Sequence, residues 1–233
     1  MSRSTVPPLP FDAILFDCDG VLVDSEPITH RVLVAELREL GWAITEDEAM
    51  QVFVGKAVKD EAELIHQKTG VRIDRAWLDR FWARRNEALA RELVAIPGAV
   101  EAVRALHHRL DGRIACASGA DRRKVELQLA KVGLLELFEG RIFSGHETPR
   151  SKPHPDVYLA AAEALGVAPQ RCAVVEDTVT GATAGVAAGA TVFGYSPGGP
   201  GHSGSQALLA VGAATTFDDM ARLPQVLAGW AGR

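Results

Sequence analysis

Residues suited to phosphoryl transfer follow four short apolar runs of this sequence. In chain order these residues are Asp17 and Asp19, Ser118, Lys152, and Glu176 with Asp177. In an open parallel sheet, ligands gather where the carboxyl ends of the strands meet. If the four runs are parallel strands, one rim of the sheet carries four carboxylates, a hydroxyl and an ammonium group. A single one of these residues would be an ordinary helix cap or solvated turn, whereas the whole series predicts a catalytic site.

The spacing of the first two acids predicts a cation at this rim. Asp17 and Asp19 are two residues apart, so in an extended chain their side chains leave the backbone on the same face. Carboxylates held close together repel one another and need a cation to coexist. Glu176 and Asp177 add further oxygens, and an all-oxygen set suits Mg²⁺. We therefore predict Mg²⁺ as the cofactor and these four acids as its ligands.

The chemistry of phosphoryl transfer assigns a role to most of these residues. Asp17 would attack phosphorus in line and form an aspartyl-phosphate. Asp19 would protonate the leaving oxygen and then accept a proton from the water that hydrolyses the intermediate. Ser118 would donate to a phosphoryl oxygen, helped by the backbone N–H groups of Gly119 and Ala120 ahead of a helix.

Positive charge for the same reaction would come from Lys152 and from the metal. Lys152 would hold a fixed charge where the transferring group becomes most anionic. Mg²⁺ would offset the repulsion between an anionic nucleophile and an anionic phosphoryl group. Gly20, directly after Asp19, indicates a sharp turn or a close approach to a ligand.

Strand-like and helix-like segments alternate along most of the chain. Such alternation predicts a parallel sheet with helices on both faces. One interval, from about residue 25 to residue 96, contains no strand pattern and is predicted to form several helices. We therefore predict an α/β fold, a Rossmann-like doubly wound parallel sheet core (1–24 and 97–233) with an inserted all-helical cap domain (25–96).

Composition and charge narrow the partners. The chain has 233 residues, 47% of them apolar and 24% charged, as in soluble globular proteins. Its net charge of −5 offers no basic face for nucleic acid, and it lacks the long apolar run of a membrane span. Three cysteines within apolar runs suggest core thiols in a reducing cytoplasm. We expect a cytoplasmic protein, a monomer by default, acting on a small phosphorylated metabolite.

Four motifs resemble those of haloacid dehalogenase superfamily phosphatases. They are Phe16-Asp-Cys-Asp-Gly-Val-Leu-Val-Asp-Ser-Glu26, Ala117-Ser-Gly119, Ser151-Lys-Pro-His-Pro-Asp156 and Val174-Val-Glu-Asp-Thr-Val-Thr-Gly181. The resemblance covers nearly the whole chain and includes the position of the helical cap. Within the superfamily, the chain most resembles the branch that contains β-phosphoglucomutase and phosphoglycolate phosphatase. It implies the same roles for the motif residues as those given above. Thr178 replaces a serine that is frequent in the family, a small departure.

Alternatives within and beyond this superfamily differ in what they require. Dehalogenases and phosphonatases resemble the chain but need no acid two residues after the nucleophile, so Asp19 favours oxygen-linked phosphoryl chemistry. A β-phosphoglucomutase shares all four motifs, and its hinge histidine falls on Thr29, beside His30. Since no mutase-specific residue is evident, hydrolysis is favoured over the mutase. A catalytically silent binding protein is disfavoured because every motif residue is present.

The resemblance places substrate selection in the cap. Phe53-Val-Gly-Lys56 lies where related proteins have a loop that dips into the site, so Gly55 and Lys56 are predicted to bind substrate. Lys56 would pair with a carboxylate or phosphate at the distal end of the substrate, or else Lys56 and Lys59 are solvated residues at a helix start. The motifs most resemble the branch acting on sugar phosphates, including 6-phosphogluconate and polyol phosphates, and phosphoglycolate stays open.

Overall fold

A parallel β-sheet forms the centre of the protein in the computed structural model, which describes residues 8–53, 56, 58–199 and 201–232. The strands are β1 (Ala13–Phe16), β2 (Ile114–Ser118), β3 (Ile142–Ser144), β4 (Cys172–Glu176), β5 (Thr191–Tyr195) and β6 (Thr215–Phe217). Within the described residues these strands form one sheet in the order β3-β2-β1-β4-β5-β6, and every pairing is parallel. The predicted fold class, a doubly wound α/β protein, is confirmed.

Helices surround this sheet and fill the interval after its first strand. They are α1 (Glu26–Glu39), α2 (Glu46–Phe53), α3 (Ala62–Thr69), α4 (Arg75–Glu92), α5 (Ala99–Arg109), α6 (Arg122–Lys131), α7 (Asp156–Ala164), α8 (Val179–Ala187), α9 (Ser205–Ala210) and α10 (Leu223–Ala228). None of the helices in the described part of the chain is long and apolar enough to cross a membrane.

Alternate residues of the strands pack into two separate cores, one on each face of the sheet. On β1, Ile14 and Phe16 join a core that includes residues of α5, α6 and α10. Ala13 and Leu15 join the opposite core, with residues of α7, α8 and α9. Strands covered on both faces have continuous apolar sequences, which is why the runs at β1, β2 and β4 were evident from the sequence.

The register of the strands brings the rim residues to one level. Phe16 pairs with Cys116 of β2 and with Val175 of β4. The chain turns at β1 from one side of the sheet to the other, since β2 and β4 flank it. In doubly wound sheets this switch point opens a crevice at the carboxyl ends of the strands. Asp17 therefore stands at the edge where ligands bind in such folds.

The helices between β1 and α5 pack on a third core of their own. Large buried side chains of this core come from α1, α2, α3 and α4, and they are Leu33, Leu37, Phe53, Ile65, Trp77 and Phe81. The chain crosses into and out of this region where Val23 bridges Ala95 and where Asp24 N–H donates to Val94 O. The division into a core and a cap, with its boundaries, stays a prediction.

Two details of the cap differ from expectation. The sequence pattern did not reveal α2, although Thr45 and Glu48 form a capping box in which each backbone N–H donates to the other's side chain. The sequence also predicts one helix over residues 57–69, whereas the described residues of this range form a 3-10 turn, Val58–Glu61, followed by α3. Both differences lie beside the loop predicted to contact substrate.

Candidate active site

A cavity of about 340 Å³ lies between the carboxyl ends of the strands and the cap helices. Its walls include Asp17, Asp19, Ser118, Lys152 and Asp177 from the core. The cap contributes Phe53 and Lys56, and α4 contributes Phe81, Trp82 and Arg85. The residues that the sequence placed at separate strand ends are therefore gathered around one space.

Four charged residues at the base of this cavity form what we call the acidic floor: Asp17, Lys152, Glu176 and Asp177. Lys152 Nζ donates to Asp17 Oδ1 at 2.8 Å and to Glu176 Oε1 at 2.6 Å. Tyr158 supports this arrangement, because its hydroxyl donates to Glu176 Oε1 at 2.6 Å and its ring lies 4.8 Å below the ammonium group. The Lys152 side chain is 8% exposed and that of Glu176 is fully buried.

Burial controls the protonation of the acidic floor. It raises the pKa of Asp17 to about 7, and the nearby carboxylates of Glu176 and Asp19 act in the same direction, although Lys152 opposes them. Burial would lower the pKa of Lys152, but the charges of Asp17 and Glu176 outweigh it and raise that pKa above its usual range. Burial and the same neighbouring acids also raise the pKa of Asp177. The floor therefore holds more carboxyl groups than one ammonium group can neutralise, and Asp17 and Asp177 resist ionisation without a further cation.

The oxygens of the acidic floor fit a small divalent cation. One oxygen each from Asp17, Glu176 and Asp177 lies within 4.8 Å of the others. Asp177 Oδ1 is buried and has no hydrogen-bond partner among the described residues. A Cβ at Gly20, whose φ is +73°, would overlap the Asp177 carboxylate, so the chain needs glycine here to approach so closely. An all-oxygen donor set of this kind is one that Mg²⁺ prefers.

The carboxylate of Asp19 lies outside that group of three acids and faces α6. Its Oδ1 accepts hydrogen bonds from Lys124 Nζ and Gln128 Nε2, both at 2.8 Å, and from the Ser25 hydroxyl. Burial alone would raise the pKa of Asp19, but the charge of Lys124 and these hydrogen bonds lower it to about 2. Gln128 also accepts a hydrogen bond from Cys18 Sγ at 3.4 Å. Asp19 is therefore held as a carboxylate anion.

The turn from β2 into α6 supplies the hydroxyl predicted for the site. Ser118 is buried, and its Oγ accepts a hydrogen bond from Ala120 N–H at 3.1 Å. Gly119 and Ala120 line the cavity beside it. Asp121 then begins α6, because its Oδ1 accepts from Lys124 N–H at the N-cap position.

Three ion pairs line the cap side of the cavity, and we call them the cap-side pairs. They are Lys56–Glu61 at 3.2 Å, Lys59–Asp60 at 2.7 Å and Arg85–Asp121 at 2.9 Å. The third joins the cap to the core, since Arg85 lies on α4 and Asp121 caps α6. Lys56 and Lys59 line the cavity, and the contact of Lys56 with substrate stays a prediction. The predicted contact of Gly55 lies outside the described residues.

The sequence matches the haloacid dehalogenase-like hydrolase family over residues 11–189. The chain belongs to this family. The match spans β1, the cap helices and the four motif regions, so it includes every residue of the acidic floor. The chain is thus a haloacid dehalogenase-like hydrolase, and the predicted enzyme class is confirmed.

Several relatives of this hydrolase are named as phosphatases. It is 30% identical to the 6-phosphogluconate phosphatase of Escherichia coli K12 over 182 residues, which cover 78% of this chain and 81% of the relative. It is 32% identical to hexitol phosphatase B of the same organism, with 76% and 79% covered. A haloacid dehalogenase family hydrolase of Deinococcus radiodurans R1, solved with bound phosphate and sodium, is 40% identical with a TM-score of 0.75, covering 94% of this chain and 96% of that one.

Several residues of this haloacid dehalogenase-like hydrolase that shape the site were not identified from the sequence. Tyr158 and Gln128 lie within helices whose apolar pattern does not show which side faces the rim. Lys124 could have been placed at the rim from a sequence signal, because it lies in the first turn of a helix that follows a strand end, and such a turn lies beside the rim. Arg85 had a signal as well, because it follows Phe81 by four residues and so lies on the buried face of α4, unlike its exposed neighbour Arg84.

Proposed function

We propose that this hydrolase is a Mg²⁺-dependent phosphatase that cleaves small sugar or polyol phosphates through an aspartyl-phosphate on Asp17. The observation that carries the proposal is the acidic floor, where Asp17 shares Lys152 with Glu176 and lies close to Asp177, whose Oδ1 has no hydrogen-bond partner among the described residues. This arrangement suits an anionic nucleophile beside a cation site. It lies at the base of a cavity large enough for a small metabolite.

In the first step, Asp17 would attack the phosphoryl group in line and the leaving oxygen would take a proton from Asp19. Mg²⁺ held by Asp17 and Asp177 would supply positive charge against the repulsion between nucleophile and phosphoryl group. Lys152 keeps Asp17 oriented and adds a second positive charge, and Ser118 can donate its hydroxyl proton to a phosphoryl oxygen.

Asp19 would act differently in the two steps. In this structure it is ionised, which is the state that can accept a proton from the water that hydrolyses the aspartyl-phosphate. Its bonds to Lys124, Gln128 and Ser25 favour that anion. To protonate the leaving oxygen in the first step, Asp19 must exchange these donors for the substrate and carry a proton there.

The substrate class rests on the relatives and on the cavity. The two Escherichia coli relatives are named for 6-phosphogluconate and for hexitol phosphates, and the Deinococcus neighbour was solved with bound phosphate. The charged cap-side pairs make the outer cavity polar, as a site for a hydroxyl-rich molecule should be.

The test is a panel of sugar, polyol, and two- and three-carbon acid phosphates, with and without Mg²⁺. Released phosphate and the organic product are both measured. We expect phosphate release that requires Mg²⁺ and that falls at least about 10⁴-fold in Asp17→Asn. The matched control is Asp12→Asn, an exposed acid just before β1, which should retain activity.

Three outcomes would contradict the proposal. Phosphate release that persists in Asp17→Asn would exclude the aspartyl-phosphate. Isomerisation of a hexose phosphate without phosphate release would identify a mutase instead. Absence of turnover over the whole panel would exclude a phosphatase of these substrates and return weight to a silent binding role.

A further inference from the structure

Every lysine and arginine among the described residues that line the cavity is already paired with a carboxylate. In the core, Lys152 pairs with Asp17 and Glu176, and Lys124 pairs with Asp19. On the cap side, the three remaining cations form the cap-side pairs. A second anionic group on a substrate would therefore meet no uncompensated cation in this part of the chain.

The pair of Arg85 and Asp121 is the most buried of the cap-side pairs, and both of its residues make further contacts. The Arg85 side chain is 7% exposed, and its guanidinium also donates to Asn86 Oδ1 and lies over the Phe81 ring. Asp121 is fixed by its second role as the N-cap of α6. Burial would raise the pKa of Asp121, but Arg85 outweighs it and lowers that pKa, so this carboxylate is ionised at neutral pH.

A histidine on the same wall does not change this balance. Desolvation and then the charge of Lys59 lower the pKa of His146. At pH 7 and above, His146 therefore carries no charge that would bind an anion. The three cap-side pairs contribute three cations and three carboxylates, which cancel, and Glu26 and His30, which also line the cavity, pair with each other.

Hydroxyl groups match such a surface, whereas a carboxylate or phosphate does not. A hydroxyl donates to a carboxylate and accepts from an ammonium or guanidinium group. A second anion beside Asp121 and Asp60 would instead meet like charge and would have to break an existing pair. A mutase that carries a bisphosphate would face the same difficulty.

We infer that the cap-side pairs select an uncharged, polyhydroxylated group, so that the preferred substrates are alditol or aldose phosphates and not aldonate phosphates or bisphosphates. Arg85 and Asp121 are the main specificity-determining residues, one supplying donors and the other an acceptor. This inference rests on the proposed phosphatase function and narrows its substrate class. It also replaces the sequence-based expectation that Lys56 pairs with an anionic distal group.

The test compares three six-carbon monophosphates that differ at the end opposite the phosphate: sorbitol 6-phosphate, glucose 6-phosphate and 6-phosphogluconate. Phosphate release gives kcat/KM for each with the wild-type protein and Mg²⁺. We expect the better of the two uncharged compounds to exceed the aldonate by at least about tenfold. An aldonate that is hydrolysed equally well or better would overturn the inference and leave the phosphatase function intact.

A binding measurement keeps the two proposals separate. Asp17→Asn retains the cap-side pairs, so calorimetric titration with the same three compounds reports their selectivity without turnover. Tighter binding of an uncharged compound than of the aldonate would support the inference even if the wild-type protein hydrolyses none of them. Tighter binding of the aldonate would overturn it.

Removing the acceptor charge should weaken or abolish the preference for the uncharged compounds. Asp121→Asn keeps a good N-cap but leaves Arg85 uncompensated, so kcat/KM for the aldonate should rise relative to sorbitol 6-phosphate by about tenfold. The matched control is Asp74→Asn, since Asp74 also caps a helix by accepting from a backbone N–H, that of Trp77, outside the cavity. A uniform loss on all substrates in Asp121→Asn, with an unchanged ratio, would assign Asp121 a purely structural role and overturn the inference.

Discussion

The acidic floor and the cap-side pairs both consist of opposite charges in contact, yet they differ in burial and in connection. Lys152 is 8% exposed and contacts two acids and an aromatic ring. Lys56 and Lys59 are 50% and 40% exposed, and each pairs with an acid near it in sequence. Only the Arg85 pair of the cap side approaches the burial of the floor.

This difference in burial predicts which charged residues of the cavity tolerate substitution. Charges buried together interact strongly, shift one another's pKa and tolerate little change. Exposed ion pairs contribute little to stability, so their composition can vary without loss of the fold. In this hydrolase, the residues proposed for chemistry belong to the first class. Those proposed for substrate choice are divided, since the pair of Arg85 and Asp121 approaches the first class and the pairs of Lys56 and Lys59 belong to the second.

The strongest test of the contrast is removal of the buried ammonium group. Lys152→Met would leave Asp17 and Glu176 buried without their shared cation, and we expect the free energy of unfolding to fall by about 3 kcal/mol. Denaturant unfolding in the presence of EDTA measures it. Lys68→Met, at an exposed position of α3, should change that free energy by less than about 0.5 kcal/mol. If both variants were equally stable, the buried charges of the acidic floor would contribute no more to the free energy of unfolding than an exposed lysine does.

The fit between Gly20 and Asp177 can be separated from backbone strain by two matched substitutions. Gly20 and Gly70 have φ of +73° and +72°, but a Cβ at Gly70 meets nothing within 4 Å. Gly70→Ala should therefore lower the free energy of unfolding by about 1 kcal/mol, the strain alone. Gly20→Ala adds an overlap with the Asp177 carboxylate and should lower it further and reduce affinity for Mg²⁺. Equal losses in thermal or denaturant unfolding would show that the carboxylate simply moves aside.

The pKa of Asp17 predicts how metal and pH act on stability together. Its folded value of about 7 exceeds the usual aspartate value of 3.8. Without metal, its contribution to the free energy of unfolding is therefore fully present below about pH 4 and is lost as pH rises through 7. Mg²⁺ binds the ionised form, so it should raise Tm more at pH 8 than at pH 5.5. We expect a rise of about 5 °C at pH 8 and a smaller one at pH 5.5.

Thermal unfolding at both pH values, with NaCl at matched ionic strength, measures this difference. Asp17→Asn removes the titrating group and should show a smaller dependence of the Mg²⁺ effect on pH. A larger shift at pH 5.5 than at pH 8 in the wild-type protein would contradict the assignment of the cation site to the acidic floor.

The smallest effect is expected at an exposed cap-side pair. Lys56→Gln should change the free energy of unfolding by less than about 1 kcal/mol and kcat/KM by less than about fivefold. Chemical denaturation and steady-state kinetics on the best substrate measure the two quantities. A loss as large as that of Lys152→Met would place Lys56 with the floor and abolish the contrast.

The sequence was most informative where burial leaves a simple pattern. The runs at β1, β2 and β4 are apolar because both faces of the sheet are covered, so the acids that follow them were evident. The hydrogen bonds of Asp19 could not be predicted from the sequence. Its partners Lys124 and Gln128 are more than a hundred residues away, and the position of their helix relative to Asp19 depends on tertiary packing. Sites built between a helix and a distant turn depend on tertiary packing, which local periodicity does not encode.

The thiol between Asp17 and Asp19 has a consequence for how the protein is handled. Cys18 is fully buried, and its contact with Cys116, followed by burial, raises its pKa well above the usual value. Since the thiolate is the reactive form, this cysteine should resist alkylation and oxidation in the native state. Iodoacetamide should therefore leave turnover unchanged in the native protein. Labelling of Cys18 would then report unfolding of the loop that follows β1.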